Sequence, residues 1–143
     1  MPQRKRSRTF TARFSAAVID KLEAHSSRMG ESKARVAERL IHEGLQIEEF
    51  PGITFRSGPT GRRAGVVGGP DVWEIVRDLK AAAEEGAQDP IDAVVLATGL
   101  DRAKVELAAS YYAAYPDDVD DRLRMQEEAV RRLRRALGIV ATG

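Results

Sequence analysis

The segment from Arg8 to Phe14 constrains the fold of this chain more than any other. Its residues alternate between an apolar face and a polar face, made of Phe10, Ala12 and Phe14 and of Thr9, Thr11 and Arg13 respectively. That alternation predicts a half-buried strand, yet no second strand follows nearby to pair with it. About fifty residues around one strand also bury too little surface to be stable alone. Antiparallel pairing of two chains solves both problems, so the sequence predicts an obligate homodimer.

Two amphipathic helices are predicted directly after this strand. Ser15 can cap a helix that runs to about Arg28 and stops at Gly30. Ser32 can cap a second helix, whose apolar residues recur near helical spacing up to residue 47. We expect the core that two such chains share to contain Phe10, Ala12, Phe14, Val36 and Leu40.

The strand, the Gly30-Glu31-Ser32 turn and the helix spacing resemble the ribbon–helix–helix repressors of the Arc, MetJ and CopG type over residues 8–50. This resemblance implies that the paired strands enter the major groove of double-stranded DNA. The side chains that read base edges would then be Thr9, Thr11 and Arg13, since arginine can bond guanine bidentately and threonine offers a hydroxyl and a methyl group. It also implies that dimers can pair further on DNA.

Phosphate binding is expected at two places in the same region. The resemblance implies that the start of the second helix, around Ser32 and Lys33, binds backbone phosphates through its free amides. The first 14 residues carry five basic side chains and no acidic one, and an arm of Arg4, Lys5, Arg6 and Arg8 would add backbone contacts. The alternative is that residues 8–14 are an edge strand of another small fold, made polar for solubility. The basic arm and the missing partner strand argue against it.

Residues 51–116 predict a small second domain. Two short β segments flank a turn at 57–61, and three helices follow, beginning at Asp71, Asp89 and Asp101. The last two helices fit a helix-turn-helix pattern. The third opens with a mixed face rather than a basic one, which favours a packing unit over a second DNA reader. The predicted fold class is therefore mainly α with short β segments.

The stretch from 53 to 115 also resembles the DUF433 antitoxin-like domain. The likeness lies in residues 68–76, Gly-Gly-Pro-Asp-Val-Trp-Glu-Ile-Val, and in the helix from 100 to 115. The Gly-Thr-Arg expected before the first helix is missing, so the match is partial. The resemblance implies a toxin–antitoxin operon in which the protein represses its own promoter.

The C-terminal segment, residues 117–143, has a regular apolar seam with one polar interruption: Val119, Leu123, Gln126, Val130, Leu133 and Leu137. Such a seam fits a helix laid against another protein, such as a toxin, or against the dimer mate. A helix folded back on its own domain fits equally well. The predicted organisation is thus an arm at 1–7, domains at 8–50 and 51–116, and this terminal helix.

Other functional classes lack support in the sequence. There is no cysteine, the two histidines lie in predicted helices, and no motif of an enzyme, a metal site or a cofactor site is present. Neither a signal peptide nor an apolar run of membrane-spanning length is found, so a cytoplasmic protein is expected. The sequence favours a dimeric transcriptional repressor. An architectural or partition protein that coats repeated sites, and an interaction module without sequence-specific DNA binding, remain the alternatives.

Overall fold

The computed structural model describes residues 6–139, which contain six helices and one antiparallel hairpin. In chain order these are α1 (Ala16–Met29), α2 (Lys33–Glu49), β1 (Ile53–Gly58), β2 (Gly61–Val66), α3 (Val72–Glu84), α4 (Pro90–Thr98), α5 (Arg102–Ala114) and α6 (Pro116–Ala136). The predicted fold class, mainly α with short β segments, is confirmed at this level.

The chain divides into two compact units, one up to Gly44 and one from Leu45 onward. We call them unit 1 and unit 2. The division falls inside α2, whereas the sequence placed the boundary after residue 50. Unit 2 therefore contains the last turn of α2, the hairpin and the four helices that follow.

The helix ends lie where local chemistry predicts them. Ser15 precedes α1 and its Oγ accepts a hydrogen bond from the Val18 amide at 3.4 Å. Gly30 ends α1 in the left-handed conformation at φ 66°, which glycine adopts without steric cost. The Oγ of Ser32 accepts from the Arg35 amide at 3.2 Å and so caps α2.

The hairpin is tighter than the sequence suggested. Its register pairs Ile53 with Val66 and Gly58 with Gly61, so that only Pro59 and Thr60 form the turn. A two-stranded hairpin is marginal on its own. Here Ile53 and Val66 are buried against the helices of unit 2, which cover one face of the hairpin.

Every element from β1 to α6 contributes to the core of unit 2. The fully buried apolar side chains are Ile53, Val66, Val72, Ile75, Val76, Val94, Val105, Ala108, Tyr111 and Val119. Val119 belongs to α6, so the terminal helix begins as part of this core rather than as a separate segment.

The Asp71 carboxylate joins three elements at the start of α3. It accepts hydrogen bonds from Arg56 on β1 at 2.8 Å, from Arg63 on β2 and from the indole of Trp73 at 3.3 Å. Arg56 also donates to the carbonyl oxygens of Val66 at 2.7 Å and Gly69 at 2.9 Å. The buried carboxylate therefore fixes the hairpin against the first turn of α3.

The last turn of α2 is anchored to α5 within unit 2. The Tyr111 hydroxyl lies 3.2 Å from Gln46 Oε1, and the Tyr115 hydroxyl donates to Glu49 at 2.6 Å. The Phe50 ring packs edge-on against both tyrosine rings, with centroids 5.6 and 6.1 Å away. Tyr111 is buried in the core of unit 2, and Tyr115 packs against that core.

The first half of α6 is held by polar contacts as well as by the core. Asp120 accepts from the Tyr112 hydroxyl at 2.8 Å and from Lys80 Nζ at 3.1 Å, while Lys80 also lies 5.0 Å from the centre of the Tyr112 ring. Arg122 donates to the carbonyl and hydroxyl oxygens of Thr60 at 2.9 Å. Residues 119–123 are thus bound to α3, α5 and the hairpin turn.

Replacing Asp71 should destabilise unit 2. Asp71→Ala leaves two guanidinium groups without their carboxylate, and losing one partner of a buried ion pair costs about 3 kcal/mol or more. Urea denaturation followed by the fluorescence of Trp73, the only tryptophan, measures the loss. Asp78→Ala removes a solvent-exposed partner of Arg77 and should change stability by less than about 1 kcal/mol. Equal effects of the two substitutions would contradict the role assigned to Asp71.

The contribution of Asp120 should depend on pH. The hydrogen bond from Tyr112, followed by that from Lys80, lowers the pKa of Asp120 below its ordinary value of 3.8. A lowered folded-state pKa gives stability that is present above pH 3.8 and is lost as the pH falls through the folded value. The stability difference between wild type and Asp120→Asn should therefore shrink below about pH 4. A difference that stays constant down to the acid transition, or that Asp118→Asn reproduces, would exclude this explanation.

Candidate nucleic-acid interface

The segment predicted to read DNA lies exposed in the single chain. Residues 6–15 carry no hydrogen-bonded secondary structure, and the predicted base-reading residues Thr9, Thr11 and Arg13 are all exposed. So are Arg6 and Arg8, whereas Arg4 and Lys5 lie outside the described residues. On the opposite face of the segment, Phe10 is 84% exposed and Phe14 is 56% exposed.

The missing strand has a simple physical reason. A strand needs a neighbour to accept and donate its backbone hydrogen bonds. The only sheet among the described residues is the β1–β2 hairpin of unit 2, and residues 8–14 do not belong to it. The strand at 8–14, and the ribbon–helix–helix architecture built on it, therefore stay predictions that only the assembled dimer can test.

An apolar groove crosses unit 1 between the two helices. It is lined by Phe14, Val18, Ile19, Leu22, Leu40 and Ile41, among other residues. Leu40 is 45% exposed and Ile41 is 52% exposed, although both lie in the middle of α2. Among the predicted dimer-core residues, Phe10, Ala12, Phe14 and Leu40 are exposed in one chain, while Val36 is fully buried within its own unit. Apolar faces of this kind are found at protein–protein contacts and in ligand-binding grooves.

The start of α2 offers two free backbone donors. The amides of Lys33 and Ala34 donate to no other described residue, because Ser32 caps the helix through Arg35 and Val36. The Lys33 ammonium lies 3.0 Å from the Glu23 carboxylate, and both side chains are at least half exposed. Such a surface pair is weak and can be exchanged for a phosphate contact.

A bidentate contact fixes the turn that precedes this helix start. One terminal nitrogen of Arg39 donates to both carboxylate oxygens of Glu31 at 2.9 Å. This hydrogen bond lowers the pKa of Glu31 below the ordinary glutamate value. The contact ties the turn to the middle of α2.

Two basic residues of the helix-turn-helix-like pair, α4 and α5, form hydrogen bonds or ion pairs within unit 2. Arg102 donates to Asp92, to Glu106 at 2.9 Å and to Asp89 at 3.3 Å. Lys104 Nζ donates to the carbonyl oxygen of Gly68 at 3.1 Å. Because these cations already contact other residues of unit 2, the structure favours the packing interpretation of this pair over a second DNA reader.

Two features of the molecule were not visible in the sequence pattern. Glu43 and Gln46 are buried polar residues of α2; Glu43 shares a helical face with Val36 and Leu40, but its polar character gave no sign of burial. Trp73 is partly buried: it packs against the core of unit 2 and also lines a groove between α3 and α6. Such a groove depends on how two helices that are distant in the sequence pack together, so a local sequence pattern does not predict it.

Searches for other kinds of site and for relatives were negative. Within residues 6–139 no cluster of three or more potential ligands could hold a metal ion. No helix in the described part of the chain has the length and apolar character needed to cross a membrane. Comparison with protein-family models, with curated proteins and with solved structures found no match to this chain.

A charge introduced into the groove of unit 1 should show whether the chain is a monomer or a dimer. Ile41→Asp replaces a side chain that is already half exposed, so a monomer would tolerate it. In a dimer the new carboxylate would be buried without a partner at considerable cost. We expect the wild-type chain to sediment at twice its 15.7 kDa mass, and the variant to dissociate or unfold.

Leu96→Asp is the matched control for this substitution. Leu96 is 90% exposed on α4, outside unit 1, and its replacement should leave the sedimenting mass unchanged. A monomeric wild-type chain would contradict the dimer, as would an Ile41→Asp variant with wild-type mass and stability.

Proposed function

We propose that this protein is a sequence-specific DNA-binding regulator that acts as a homodimer and represses transcription. The observation that carries the proposal is the uncovered apolar face of unit 1, which lies in the same unit as an exposed segment of alternating apolar and polar residues. A second copy would cover the first and pair with the second.

Strand pairing would give the polar face its function. When Phe10 and Phe14 turn inward, Thr9, Thr11 and Arg13 must point outward because strand side chains alternate. Two antiparallel strands form a ribbon that fits the major groove, where each base pair presents a distinct pattern of donors and acceptors. Six outward side chains, three from each chain, would then read one site.

Charge and helix geometry supply the non-specific part of binding. Arg6, Arg8 and Arg13 lie on or next to the exposed segment, and no acidic residue occurs before Asp20. The amides of Lys33 and Ala34 lie at the N-terminus of α2, which is the positive end of the helix dipole. They can therefore donate hydrogen bonds to a phosphate. Glu23 is the nearest competitor for the Lys33 side chain, and DNA binding would replace that pair.

A more specific version of this proposal is that the protein is an antitoxin that represses its own promoter. In that version unit 2 also has a function. Unit 1 would bind the promoter, and unit 2 would bind the partner protein encoded with it. The supporting observation is the division of the chain into two compact units, of which unit 2 has its own core and its own exposed surface.

Binding to the DNA upstream of the protein's own gene tests the repressor function. Specific sites are typically bound about 4–10 kcal/mol tighter than random DNA, so fluorescence anisotropy should separate the promoter from a scrambled duplex. Arg13→Ala should cost about 1–3 kcal/mol per base contact and reduce that preference. Raising salt from about 50 to 200 mM should weaken binding about 10³-fold if about six phosphates are contacted.

Arg132→Ala is the matched control, since it removes one exposed arginine of unit 2 that pairs with no described residue. It should leave the promoter preference intact. Cooperative coating of long duplexes without a preferred site would favour the architectural alternative. Binding that ignores both the DNA sequence and Arg13 would overturn the proposal.

A further inference from the structure

The two halves of α6 differ in how much of the apolar seam is covered. Val119 is buried in the core of unit 2 and Leu123 is half-buried against it. Beyond them, Val130 is 46%, Leu133 58% and Leu137 63% exposed. The same apolar repeat therefore continues for two further turns with no described residue covering it.

A groove between α3 and α6 begins where the core ends. Its lining combines apolar side chains, Trp73, Leu123 and Val130, with the guanidinium groups of Arg77, Arg131 and Arg134. The Arg77 guanidinium lies over the Trp73 ring, 5.5 Å from its centroid. The groove is thus an apolar channel with cations along its edges, and it leads onto the uncovered seam.

These cations are available to a partner. Neither Arg131 nor Arg134 makes an ion pair or a side-chain hydrogen bond with any residue between 6 and 139, and Arg77 pairs only with the exposed Asp78. Glu127 is the one acidic residue of the lining. The groove therefore carries a net positive charge of two, which calls for carboxylates in whatever covers it.

We propose that this groove and the uncovered seam bind a protein segment whose apolar side chains are flanked by aspartate or glutamate. The apolar residues would fill the channel beside Trp73 and continue along Leu133 and Leu137. The carboxylates would pair with Arg77, Arg131 and Arg134. This is the helix-in-groove mode of recognition, with charge setting the choice of partner. The proposal rests on unit 2 alone and does not require that unit 1 binds DNA.

Charge and shape disfavour the other occupants. A second copy laid parallel and in register along the same seam would bring its own Arg131 and Arg134 close to those of the first, whereas the mass of the assembly tests an antiparallel copy. A nucleic acid would satisfy the arginines but leave Val130, Leu133 and Leu137 exposed. A membrane-surface helix has a broad apolar face with bulky aromatic residues, whereas this seam is narrow and residues 124–139 contain no aromatic residue.

The test uses the full chain and two fluorescent helical peptides with the same leucine seam. One peptide has glutamate in the flanking positions and the other has lysine. Wild type should bind the glutamate peptide and not the lysine peptide. The affinity of the double variant Arg131→Glu, Arg134→Glu for the glutamate peptide should fall by about tenfold or more. Its affinity for the lysine peptide should rise. Val130→Ser should weaken the binding of the glutamate peptide without changing its charge preference.

The double variant Arg132→Glu, Arg135→Glu is the matched control. It makes the same change of charge on the same helix, but neither Arg132 nor Arg135 lines the groove between α3 and α6. It should bind the glutamate peptide like wild type. Equal losses in the two double variants would overturn the proposal, because non-specific attraction would then explain the binding.

Two further outcomes would also overturn it. Sedimentation could show that the mass of the wild-type assembly falls when Val130 and Leu133 are replaced by serine, which would make a second copy the occupant. Alternatively, the wild-type chain could bind a DNA duplex with an affinity that Arg131→Glu, Arg134→Glu abolishes and the control does not. The groove would then belong to a nucleic-acid surface.

Discussion

The Asp71 carboxylate is the interaction on which the architecture of unit 2 depends. A hairpin of two six-residue strands has no stability of its own and needs a fixed attachment to helices. Asp71 supplies it by holding Arg56 and Arg63, one from each strand, at the first turn of α3. Gly65 makes this possible, since a Cβ there would lie 2.6 Å from the Arg56 guanidinium. With the hairpin attached in this way, Ile53 and Val66 are buried in the core of unit 2.

Unit 1 presents the opposite situation, because its apolar residues outnumber the places where one chain can bury them. Val36 is fully buried, yet Leu40 and Ile41 on the next turn are about half exposed. Burying apolar area stabilises by about 25 cal/mol per Å², so leaving these side chains in water forgoes most of what α1 and α2 could contribute. The sequence nevertheless caps both helices well, at Ser15, Gly30 and Ser32. The ends of both helices are therefore stabilised locally, while part of their apolar surface stays exposed.

The sequence predicted those features that depend on neighbouring residues and missed those that depend on distant ones. Both ends of α1 and the start of α4 followed from Ser15, Gly30 and Asp89, since capping acts within one turn. The role of Asp71 beyond its cap position was not predictable, because Arg56 and Arg63 reach it from 15 and 8 residues away. The sequence identified the apolar seam of α6. Which residues of that seam are buried depends on where the neighbouring helices α3 and α5 end. The strand predicted at 8–14 is not formed in the single chain, where residues 6–15 carry no hydrogen-bonded secondary structure.

The chain carries two groups of arginines, and their neighbours distinguish what each group can bind. Arg8 and Arg13 lie in an exposed segment beside threonines, where hydroxyls and guanidinium groups together suit the edges of bases and phosphates. Arg131 and Arg134 flank an apolar channel instead, beside Leu123 and Val130. A polyanion would neutralise the second group but would leave that channel in contact with water. An apolar surface framed by carboxylates would satisfy both the arginines and the seam, so the local composition around each arginine favours nucleic acid at unit 1 and protein at unit 2.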